Sequence, residues 1–346
     1  MAPSKVLLFG SGAVGTIYLH VLVQANSNVT AVCRSNYDAA KTEGFHIDSG
    51  LYGKGIHIPP SKYQVVKTPT EAAEISKNEP FDYILVCSKV LPDLETSKTI
   101  APAVTEGHTT IVLIQNGIDI EQEYASRFPT NPLLTCVAYI PTTQTSPGYI
   151  THGDVNILEV GPFPTKSTRT KEAAETLIST LNPAGGNLKY VEKIQEKRRF
   201  KLLLNAPWNP ICALTLCRDV AFLGSSDFAE DVIKGVLSEV VKLSQAQGFE
   251  SVTDEAAEKM LEGMVKPRIG TIGIEPSMLV DVLWNRRMEV EVILGNPVKI
   301  AKRLGVDVPR MEMLYALTKA LDDANRWRQP GQALTGTALK DEKSSS

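Results

Sequence analysis

The sequence predicts an α/β fold with a largely parallel sheet, followed by an all-helical second domain. From Lys5 to about Val191, short apolar runs alternate with amphipathic stretches, which is typical of βαβ units. After Glu192, apolar residues recur three and four positions apart, which indicates helices. A length of 346 residues exceeds the usual size of one hydrophobic core, so two domains are expected.

Strands are predicted in the first half from short apolar runs bounded by turn residues. They are Val6–Phe9, Val29–Cys33, Tyr83–Cys87, Thr110–Ile114, Leu133–Tyr139, Gly148–Thr151 and Asn156–Val160. The connections between the last three, Pro141–Gly148 and Gly153–Asp154, are too short for crossover helices. We therefore expect the sheet to end in antiparallel pairing.

Stretches of the second half carry apolar residues at helical spacing. They are Phe228–Gln247, Asp254–Met264, Val290–Leu304 and Met311–Arg326. We expect an α/β domain at residues 1–192, a helical domain at residues 193–330 and a polar, frayed tail at residues 331–346.

Composition narrows the classes of protein to which this chain can belong. Apolar residues make up 43% and charged residues 22%, as in an ordinary globular protein, and the formal net charge is −3. No basic run alternates with aromatic residues, so we expect no nucleic-acid partner. No apolar run is long enough to span a bilayer, and the N-terminus lacks a signal-peptide pattern, so no membrane partner is expected either.

The cysteines are scattered and lack the spacing of a zinc or disulfide framework. They are Cys33, Cys87, Cys136, Cys212 and Cys217. We expect reduced thiols in a cytoplasmic protein, and no metal site. The sequence leaves the oligomeric state open, with a homodimer as one option.

A glycine-rich turn joins the first predicted strand to an apolar helix. Gly10, Gly12 and Gly15 have the spacing Gly-x-Gly-x-x-Gly. The first glycine permits a tight turn, the second lets a pyrophosphate approach the backbone, and the third lets the helix pack on the strand. The helix N-terminus offers unpaired N–H groups to phosphate. This predicts a Rossmann-like dinucleotide site made of Gly10, Ser11, Gly12, Ala13, Val14 and Gly15.

The end of the second strand decides between the two nicotinamide cofactors. An NAD site usually has an acidic residue there, which binds the ribose 2′-hydroxyl. Here the strand ends in Cys33-Arg34-Ser35. A guanidinium and a hydroxyl suit a 2′-phosphate, so the sequence favours NADPH/NADP⁺, with Arg34 as a ligand. The alternative is that Arg34 is a solvated surface residue.

A predicted helix at the start of the second domain carries an amine and two amides. Lys201, Asn205 and Asn209 recur every four residues, so they would lie along one helix face. Such a face suits a polar cleft better than an apolar core. Pro207 should loosen the helix locally and so makes the alignment of Asn209 uncertain.

The pattern Lys-x-x-x-Asn-x-x-x-Asn at this place resembles the ketopantoate reductase family of NADP-dependent enzymes. Residues 276–281, Pro-Ser-Met-Leu-Val-Asp, are similar to the family's Pro-Ser-Met-Leu-x-Asp, and Glu289 matches a glutamate twelve residues after the serine. Lys89 and Asn116-Gly117 each follow a strand, as a lysine and an Asn-Gly pair do in the family. The segment Pro147–Gly153 is similar to the family's sheet edge. The resemblance extends from about residue 5 to residue 321.

The resemblance implies a helical domain similar to the C-terminal domain of 6-phosphogluconate dehydrogenase. It implies reduction of a keto acid, which needs hydride at the carbonyl carbon and a proton donor at the oxygen. Lys201 would donate the proton, and Glu289 would orient the lysine or the substrate. Lys89 would face the nicotinamide and substrate, as would Asn116. The substrate would be held by Asn116, Asn205, Asn209 and Ser277.

Structural alternatives exist for most of these side chains. Lys89 and Lys201 could be solvated lysines, and Asn205 a polar residue at a helix bend. Ser277 could be the N-cap of a helix that starts at Met278. Glu289 could be an exposed helix residue, with Glu291 as its solvent-side neighbour. His152 is interpreted as a structural histidine whose hydrogen bonds are satisfied.

The sequence departs from the family pattern beside the proposed substrate residues. Arg199 stands where the family usually has Trp, and Ala206-Pro207-Trp208 replaces small aliphatic residues. The first hypothesis is reduction of 2-dehydropantoate (ketopantoate) to pantoate in pantothenate synthesis. The alternatives are a reductase of the same family for another small keto acid, and a non-catalytic NADPH-binding regulator.

Overall fold

The structure of the chain is a computed structural model. It describes residues 3–76, 79–164 and 168–324. The chain divides into two compact units, residues 1–197 and residues 198–346, which we call unit 1 and unit 2. The domain limits expected after residues 192 and 330 stay predictions. The expected polar tail and Arg326, the end of the last predicted helix, lie outside the described residues.

Unit 1 holds the strands of the described chain. They are β1 (Lys5–Phe9), β2 (Asn28–Val32), β3 (Phe45–Ser49), β4 (Gly53–Ile58), β5 (Gln64–Val66), β6 (Tyr83–Val86), β7 (Thr110–Leu113), β8 (Leu133–Tyr139), β9 (Thr142–Ser146), β10 (Tyr149–His152), β11 (Ile157–Pro162) and β12 (Leu188–Tyr190). Helices connect them: α1 (Ala13–Gln24), α2 (Tyr37–Thr42), α3 (Pro69–Ile75), α4 (Thr96–Ile100), α5 (Gln122–Arg127) and α6 (Thr168–Leu181).

The first sheet has the strand order β12-β11-β8-β7-β6-β1-β2-β5. Its pairs are parallel except β8 with β11, which are antiparallel. The expected antiparallel end of the sheet is therefore only partly right, because β12 pairs parallel with β11 at that edge and the strand predicted at Gly148–Thr151 belongs to the second sheet. β1 lies between β6 and β2, and its residues Val6, Leu7 and Leu8 are fully buried. Burial on both faces explains why this strand has a continuous apolar run. The predicted parallel α/β fold is confirmed.

A second, four-stranded sheet has the order β4-β3-β10-β9. The expectation that Pro141–Gly148 is only a short connection is wrong, because Thr142–Ser146 is β9 and pairs antiparallel with β10. β3 pairs with β4 and also with β10, so three strands of this sheet were not predicted. β9 has the sequence Thr-Thr-Gln-Thr-Ser and carries no apolar residue, so it has no periodic signal. β3 does alternate, with Phe45 and Ile47 buried, but the alternation covers only five residues.

Unit 2 is helical throughout its described part, residues 198–324, as the sequence predicted. Its helices are α7 (Ile194–Thr215, which begins in unit 1), α8 (Asp219–Leu223), α9 (Ala229–Ala246), α10 (Asp254–Met260), α11 (Ser277–Leu283), α12 (Asn296–Leu304) and α13 (Pro309–Ala324). Two predicted helices include π-helical turns, at Leu261–Val265 after α10 and at Glu291–Gly295 before α12.

The core of unit 2 forms around α9, whose buried face includes Ile233, Val236 and Val240. The same helix carries Glu239, which is only 3% exposed. Its carboxylate accepts hydrogen bonds from the backbone N–H groups of Arg310 (3.0 Å) and Met311 (2.9 Å) in the first turn of α13. A carboxylate at a helix N-terminus satisfies donors that the helix itself cannot pair, so it fixes α13 on α9.

Candidate functional site

The glycine-rich turn between β1 and α1 has the backbone geometry that its spacing predicts. Gly10 has a φ of +97°, and a Cβ at this position would lie 2.5 Å from the backbone N of Ser88. A Cβ on Gly15 would lie 2.1 Å from the backbone O of Gly10. Neither position can hold a larger residue without movement of main chain, so these two glycines let the turn, α1 and the neighbouring loop pack closely.

Gly12 differs from the other two glycines because space lies above it. A Cβ built on Gly12 meets no described atom within 4 Å. Gly12 is also the N-cap of α1, where no described side chain makes a capping hydrogen bond and the first turn contains no acidic residue. An uncapped helix N-terminus with room above it is the environment that a phosphate group needs, so this turn fits a dinucleotide pyrophosphate.

Arg34 and Ser35 form the turn after β2, and both are exposed. The next residue, Asn36, is only 3% exposed. Its Nδ2 donates to the backbone O of Ser11 in the glycine-rich turn, at 2.7 Å, and to Oε1 of Gln144 on β9, at 2.9 Å. Neither amide could be identified from the sequence, because 108 residues separate them and neither belongs to a local motif.

Further cations lie beside the same turn. Tyr37 follows Asn36, and the Nζ of Lys67 lies 4.6 Å from the centroid of its ring. The Nζ of Lys41 lies 3.3 Å from the Tyr37 hydroxyl. Lys67 comes directly after β5, which pairs parallel with β2 so that Val66 faces Val32. The carboxyl end of β2 is therefore a locally basic surface, which suits a phosphate.

Lys89 and Asn116 follow the carboxyl ends of two neighbouring parallel strands, β6 and β7, and both are half-buried. The loops that carry them are joined, because Nε2 of Gln115 donates to the backbone O of Ser88 at 2.7 Å. β6 also pairs with β1. Unit 1 thus brings the glycine-rich turn, Lys89 and Asn116 to one edge of the sheet, where an open α/β sheet binds its ligand.

In unit 2, the proposed proton donor and two amides lie on α7. Lys201 and Asn205 are half-buried, and Asn209 is 4% exposed. The helix continues through Pro207 and Pro210 without a break, so the expected loosening at Pro207 does not interrupt the four-residue spacing. The three polar side chains therefore follow one face of a continuous helix.

Ser277 and Glu289 lie on other parts of unit 2. Ser277 is exposed and is the first residue of α11, with Pro276 at the N-cap. The alternative in which Ser277 caps a helix starting at Met278 is therefore wrong. Glu289 precedes the π-helical turn and is 7% exposed, so the alternative of an exposed helix residue is also wrong. A carboxylate that is removed from water in this way needs a specific structural or chemical reason.

The two departures from the family pattern are both buried. Arg199 is 7% exposed, its guanidinium carbon lies 4.4 Å from the ring centroid of Phe249, and its Nε donates to Oε1 of Gln247 at 3.4 Å. A flat guanidinium stacks on the aromatic ring, as an indole could. Trp208 is 6% exposed and adds bulk one residue before Asn209. The structure places both changes in packed surroundings on the helix that carries Lys201.

His152 has a structural role, as the sequence suggested. It is 3% exposed, and its Nδ1 and Nε2 lie 2.8 Å from Oγ of Ser49 and 3.0 Å from the backbone O of Val155. Burial lowers its pKa below 6.5. Glu291 is not simply a solvent-side residue, because its carboxylate accepts from the Tyr315 hydroxyl and pairs with Lys299, each at 2.9 Å.

Among the described residues there is no cluster of three or more His, Cys, Asp or Glu residues that could hold a metal ion. The cysteines of the sequence are free thiols. None of the helices in the described ranges is long and apolar enough to cross a membrane. The cytoplasmic location expected from the sequence stays a prediction.

Comparison with known proteins gives matches to both halves of the chain. The family model described as "Ketopantoate reductase PanE/ApbA" matches residues 6–165, and "Ketopantoate reductase PanE/ApbA C terminal" matches residues 193–322. An uncharacterized protein of Saccharomyces cerevisiae is 30% identical over 339 residues, which cover 91% of this chain and 92% of that protein.

Solved structures are similar over nearly the whole length. A 2-dehydropantoate 2-reductase from Methylococcus capsulatus is 30% identical, with a TM-score of 0.75, and the match covers 95% of this chain and 98% of that one. A ternary structure of D-mandelate dehydrogenase with NADH and anilino(oxo)acetate is 21% identical, with a TM-score of 0.79 and coverage of 93% and 99%. The second likeness is one of fold.

Proposed function

We propose a function for this chain from the premise that it belongs to the ketopantoate reductase family, which is a family of oxidoreductases. Its proposed activity is the NADPH-dependent reduction of a small 2-keto acid to the 2-hydroxy acid. The first candidate substrate is 2-dehydropantoate, with pantoate as the product and pantothenate synthesis as the role. The observation that carries this proposal is the polar face of α7, formed by Lys201, Asn205 and Asn209.

The cofactor is proposed to bind to unit 1. The space above Gly12 and the uncapped N-terminus of α1 support a pyrophosphate site. Arg34 and Ser35, with Lys67 nearby on the adjacent strand end, support recognition of the 2′-phosphate and hence NADPH over NADH. When bound, NADPH supplies the hydride for the carbonyl carbon. Lys89 and Asn116 are proposed to contact the nicotinamide end of the cofactor.

Lys201 is proposed as the general acid. Its ammonium group would hydrogen-bond the carbonyl oxygen of the substrate and stabilise the negative charge that develops there. The lysine would donate its proton to that oxygen as the hydride reaches the carbon, and would recover a proton from solvent after product release. Glu289 would orient Lys201 or the substrate hydroxyl, a role that its burial supports.

The amides and the serine are proposed to hold the substrate. Asn205 and Asn209 can each donate and accept hydrogen bonds, so they suit the carboxylate and hydroxyl groups of a hydroxy acid. Ser277, exposed at the start of α11, would bind the carboxylate. An amide donor binds a carboxylate without introducing another titrating group, so the charge of Lys201 remains available for the carbonyl oxygen.

A second candidate is a related reductase for a different keto acid. Arg199 and Trp208 replace family residues on the helix that carries Lys201, and both are buried. The fold relative D-mandelate dehydrogenase, whose solved complex contains anilino(oxo)acetate, motivates a test of other oxoacids as substrates. Substrate specificity in such enzymes depends on a few contacts, each contributing about 1–3 kcal/mol.

A panel of keto acids would separate the two candidates. Purified protein is mixed with NADPH and either ketopantoate or other small aliphatic and aromatic 2-keto acids, and the loss of the reduced-nicotinamide absorbance is followed. The first candidate predicts the highest kcat/KM with ketopantoate. A higher kcat/KM with another acid, and little consumption with ketopantoate, would replace the first candidate with the second.

A further inference from the structure

Asn36 is a buried amide within an otherwise exposed turn. Arg34 and Ser35 precede it and face solvent, whereas Asn36 is only 3% exposed. A buried amide is costly unless its donors and acceptor are satisfied. The hydrogens of its Nδ2 have two acceptors, the backbone O of Ser11 at 2.7 Å and Oε1 of Gln144 at 2.9 Å. Its Oδ1 accepts from Nε2 of Gln144, also at 2.9 Å.

Gln144 lies in the second sheet, whereas the turn that it contacts follows β2 of the first sheet. It lies on β9, at the edge of the four-stranded sheet, and faces Ile150 of β10 in the ladder. The two hydrogen bonds between its amide and that of Asn36 run in opposite directions. Such a reciprocal pair fixes the plane of the Asn36 amide, and this orientation directs the remaining Nδ2 hydrogen towards Ser11.

Ser11 lies within the glycine-rich turn, between Gly10 and Gly12. Its backbone O is the acceptor for Asn36, and its own Oγ donates to the backbone O of Val32, the last residue of β2, at 3.3 Å. The glycine-rich turn and the turn after β2 are therefore joined by two hydrogen bonds. In the first, Asn36 donates to Ser11, and in the second, Ser11 donates to Val32.

We propose that Asn36, oriented by Gln144, is a positioning residue that sets the separation between the pyrophosphate-binding turn and the 2′-phosphate-binding turn of the cofactor site. The inference rests on the proposed use of NADPH. The two phosphate groups of the adenosine half are held at a limited range of separations by the ribose between them. Both turns must match that range at once, and a fixed separation removes part of the ordering cost of binding.

The inference also gives the second sheet a functional role. Without Gln144, the Asn36 amide could rotate, and the exposed side chain of Arg34 would be carried by a less constrained turn. Binding of the 2′-phosphate should then weaken more than binding at the glycine-rich turn alone. The selectivity for phosphorylated adenosine thus depends on a residue that has no direct contact with the nucleotide.

The test uses two nucleotide fragments as probes and does not require turnover. Adenosine 2′,5′-bisphosphate spans both turns, whereas ADP lacks the 2′-phosphate. Their dissociation constants are measured by titration calorimetry on the full chain for wild type, Gln144→Leu, Asn36→Ala and the double variant. The matched control is Gln64→Leu, which removes an exposed glutamine from β5 of the first sheet.

In Gln144→Leu, affinity for the bisphosphate should fall by about tenfold, equivalent to the loss of one or two hydrogen bonds. ADP affinity should fall less, and in turnover assays the loss should affect KM for NADPH more than kcat. Because Gln144 acts through Asn36, the double variant should bind no more weakly than Asn36→Ala. The control should bind both fragments as wild type does.

Three results would overturn the inference: unchanged binding in Gln144→Leu, additive losses in the double variant, or equal losses for ADP and the bisphosphate. The last result would indicate a general structural role for the two amides. Failure of the proposed function in its choice of NADPH is distinguishable from these results. It would appear as wild-type protein that binds ADP as tightly as the bisphosphate. In that case the choice of NADPH is wrong, and the inference fails with it.

Discussion

The glycine-rich turn of unit 1 and the polar face of α7 in unit 2 form two kinds of candidate site, one from main-chain atoms and one from side chains. The turn uses main chain, since Gly10 and Gly15 allow close contacts and Gly12 leaves open space at a helix N-terminus. The helix uses side chains, with Lys201, Asn205 and Asn209 projecting from an ordinary helical backbone. A backbone site depends on glycine spacing, whereas a side-chain site can be changed one residue at a time without loss of the fold.

This difference means that the two sites tolerate substitution differently. Replacing Gly10 or Gly15 puts a Cβ 2.5 Å or 2.1 Å from main chain, which the fold cannot accept without movement. Replacing the family's Trp by Arg199 keeps a flat group stacked on Phe249. We therefore expect single substitutions to change substrate binding on α7 more readily than cofactor binding at the glycine-rich turn.

The largest expected effect is on kcat, after a change in the polar face of α7. Lys201→Ala removes the proposed proton donor and should lower kcat by roughly a thousandfold, within the range known for general acids. The affinity for NADPH, measured by fluorescence titration, should be unchanged, because the cofactor is proposed to bind to unit 1. Lys193→Ala, at an exposed lysine just before α7, is the matched control and should retain full activity. Comparable turnover in Lys201→Ala would remove this lysine from the mechanism.

The next effects, on stability and on NADPH binding, distinguish two glycines of the glycine-rich turn. Gly15→Ala places a Cβ 2.1 Å from the Gly10 carbonyl and should destabilise the fold by about 1–3 kcal/mol. Gly12→Ala has room for its methyl group and should leave the melting temperature near that of wild type. It should nevertheless weaken NADPH binding by about tenfold or more, because the methyl group occupies the space for pyrophosphate. Normal NADPH affinity in Gly12→Ala would mean that the phosphate binds elsewhere.

Arg34→Asp tests the choice between the two cofactors. The change replaces a cation with an anion at the end of β2, where a carboxylate would repel a 2′-phosphate and bind a 2′-hydroxyl. Loss of charged hydrogen bonds of about 1.5–3 kcal/mol should lower the ratio of kcat/KM for NADPH to that for NADH by roughly tenfold to a hundredfold. An unchanged ratio would show that Arg34 is only a solvated surface residue.

The smallest expected effect is at Arg199. Arg199→Ala removes the stacking on Phe249 and should lower the free energy of unfolding by about 1–2 kcal/mol, measured by urea denaturation. Arg199→Trp keeps a flat stacking group and should recover most of that loss. If both variants lose stability equally, polar contacts of the guanidinium, such as the hydrogen bond to Gln247, rather than the stacking hold Arg199 in place.

The parts of the fold that sequence could predict are those with strong local patterns. Buried strands such as β1 and amphipathic helices such as α9 follow directly from apolar periodicity. Strand β9 of the second sheet could not be predicted, because its sequence Thr-Thr-Gln-Thr-Ser carries no apolar alternation. Such a strand forms because its neighbour β10 offers a ladder, which is a tertiary effect.

The same limit applies to the candidate site. The glycines and the face of α7 follow from spacing alone, and the order of motifs along the chain indicated the family. The pair formed by Asn36 and Gln144 joins positions 108 residues apart, and no single sequence shows such a contact. The burial of Glu289 and Arg199 was also beyond the sequence, because burial of a charged residue depends on packing around it.

The proposed function requires that the chain is an enzyme that consumes NADPH to reduce a keto acid. The most direct test mixes wild-type protein with NADPH and ketopantoate and measures NADPH consumed and hydroxy acid formed in the same sample. We expect equal amounts of both over many turnovers, for ketopantoate or for another small 2-keto acid. NADPH that binds tightly but is not consumed with any keto acid would contradict the claim and indicate a non-catalytic NADPH-binding regulator.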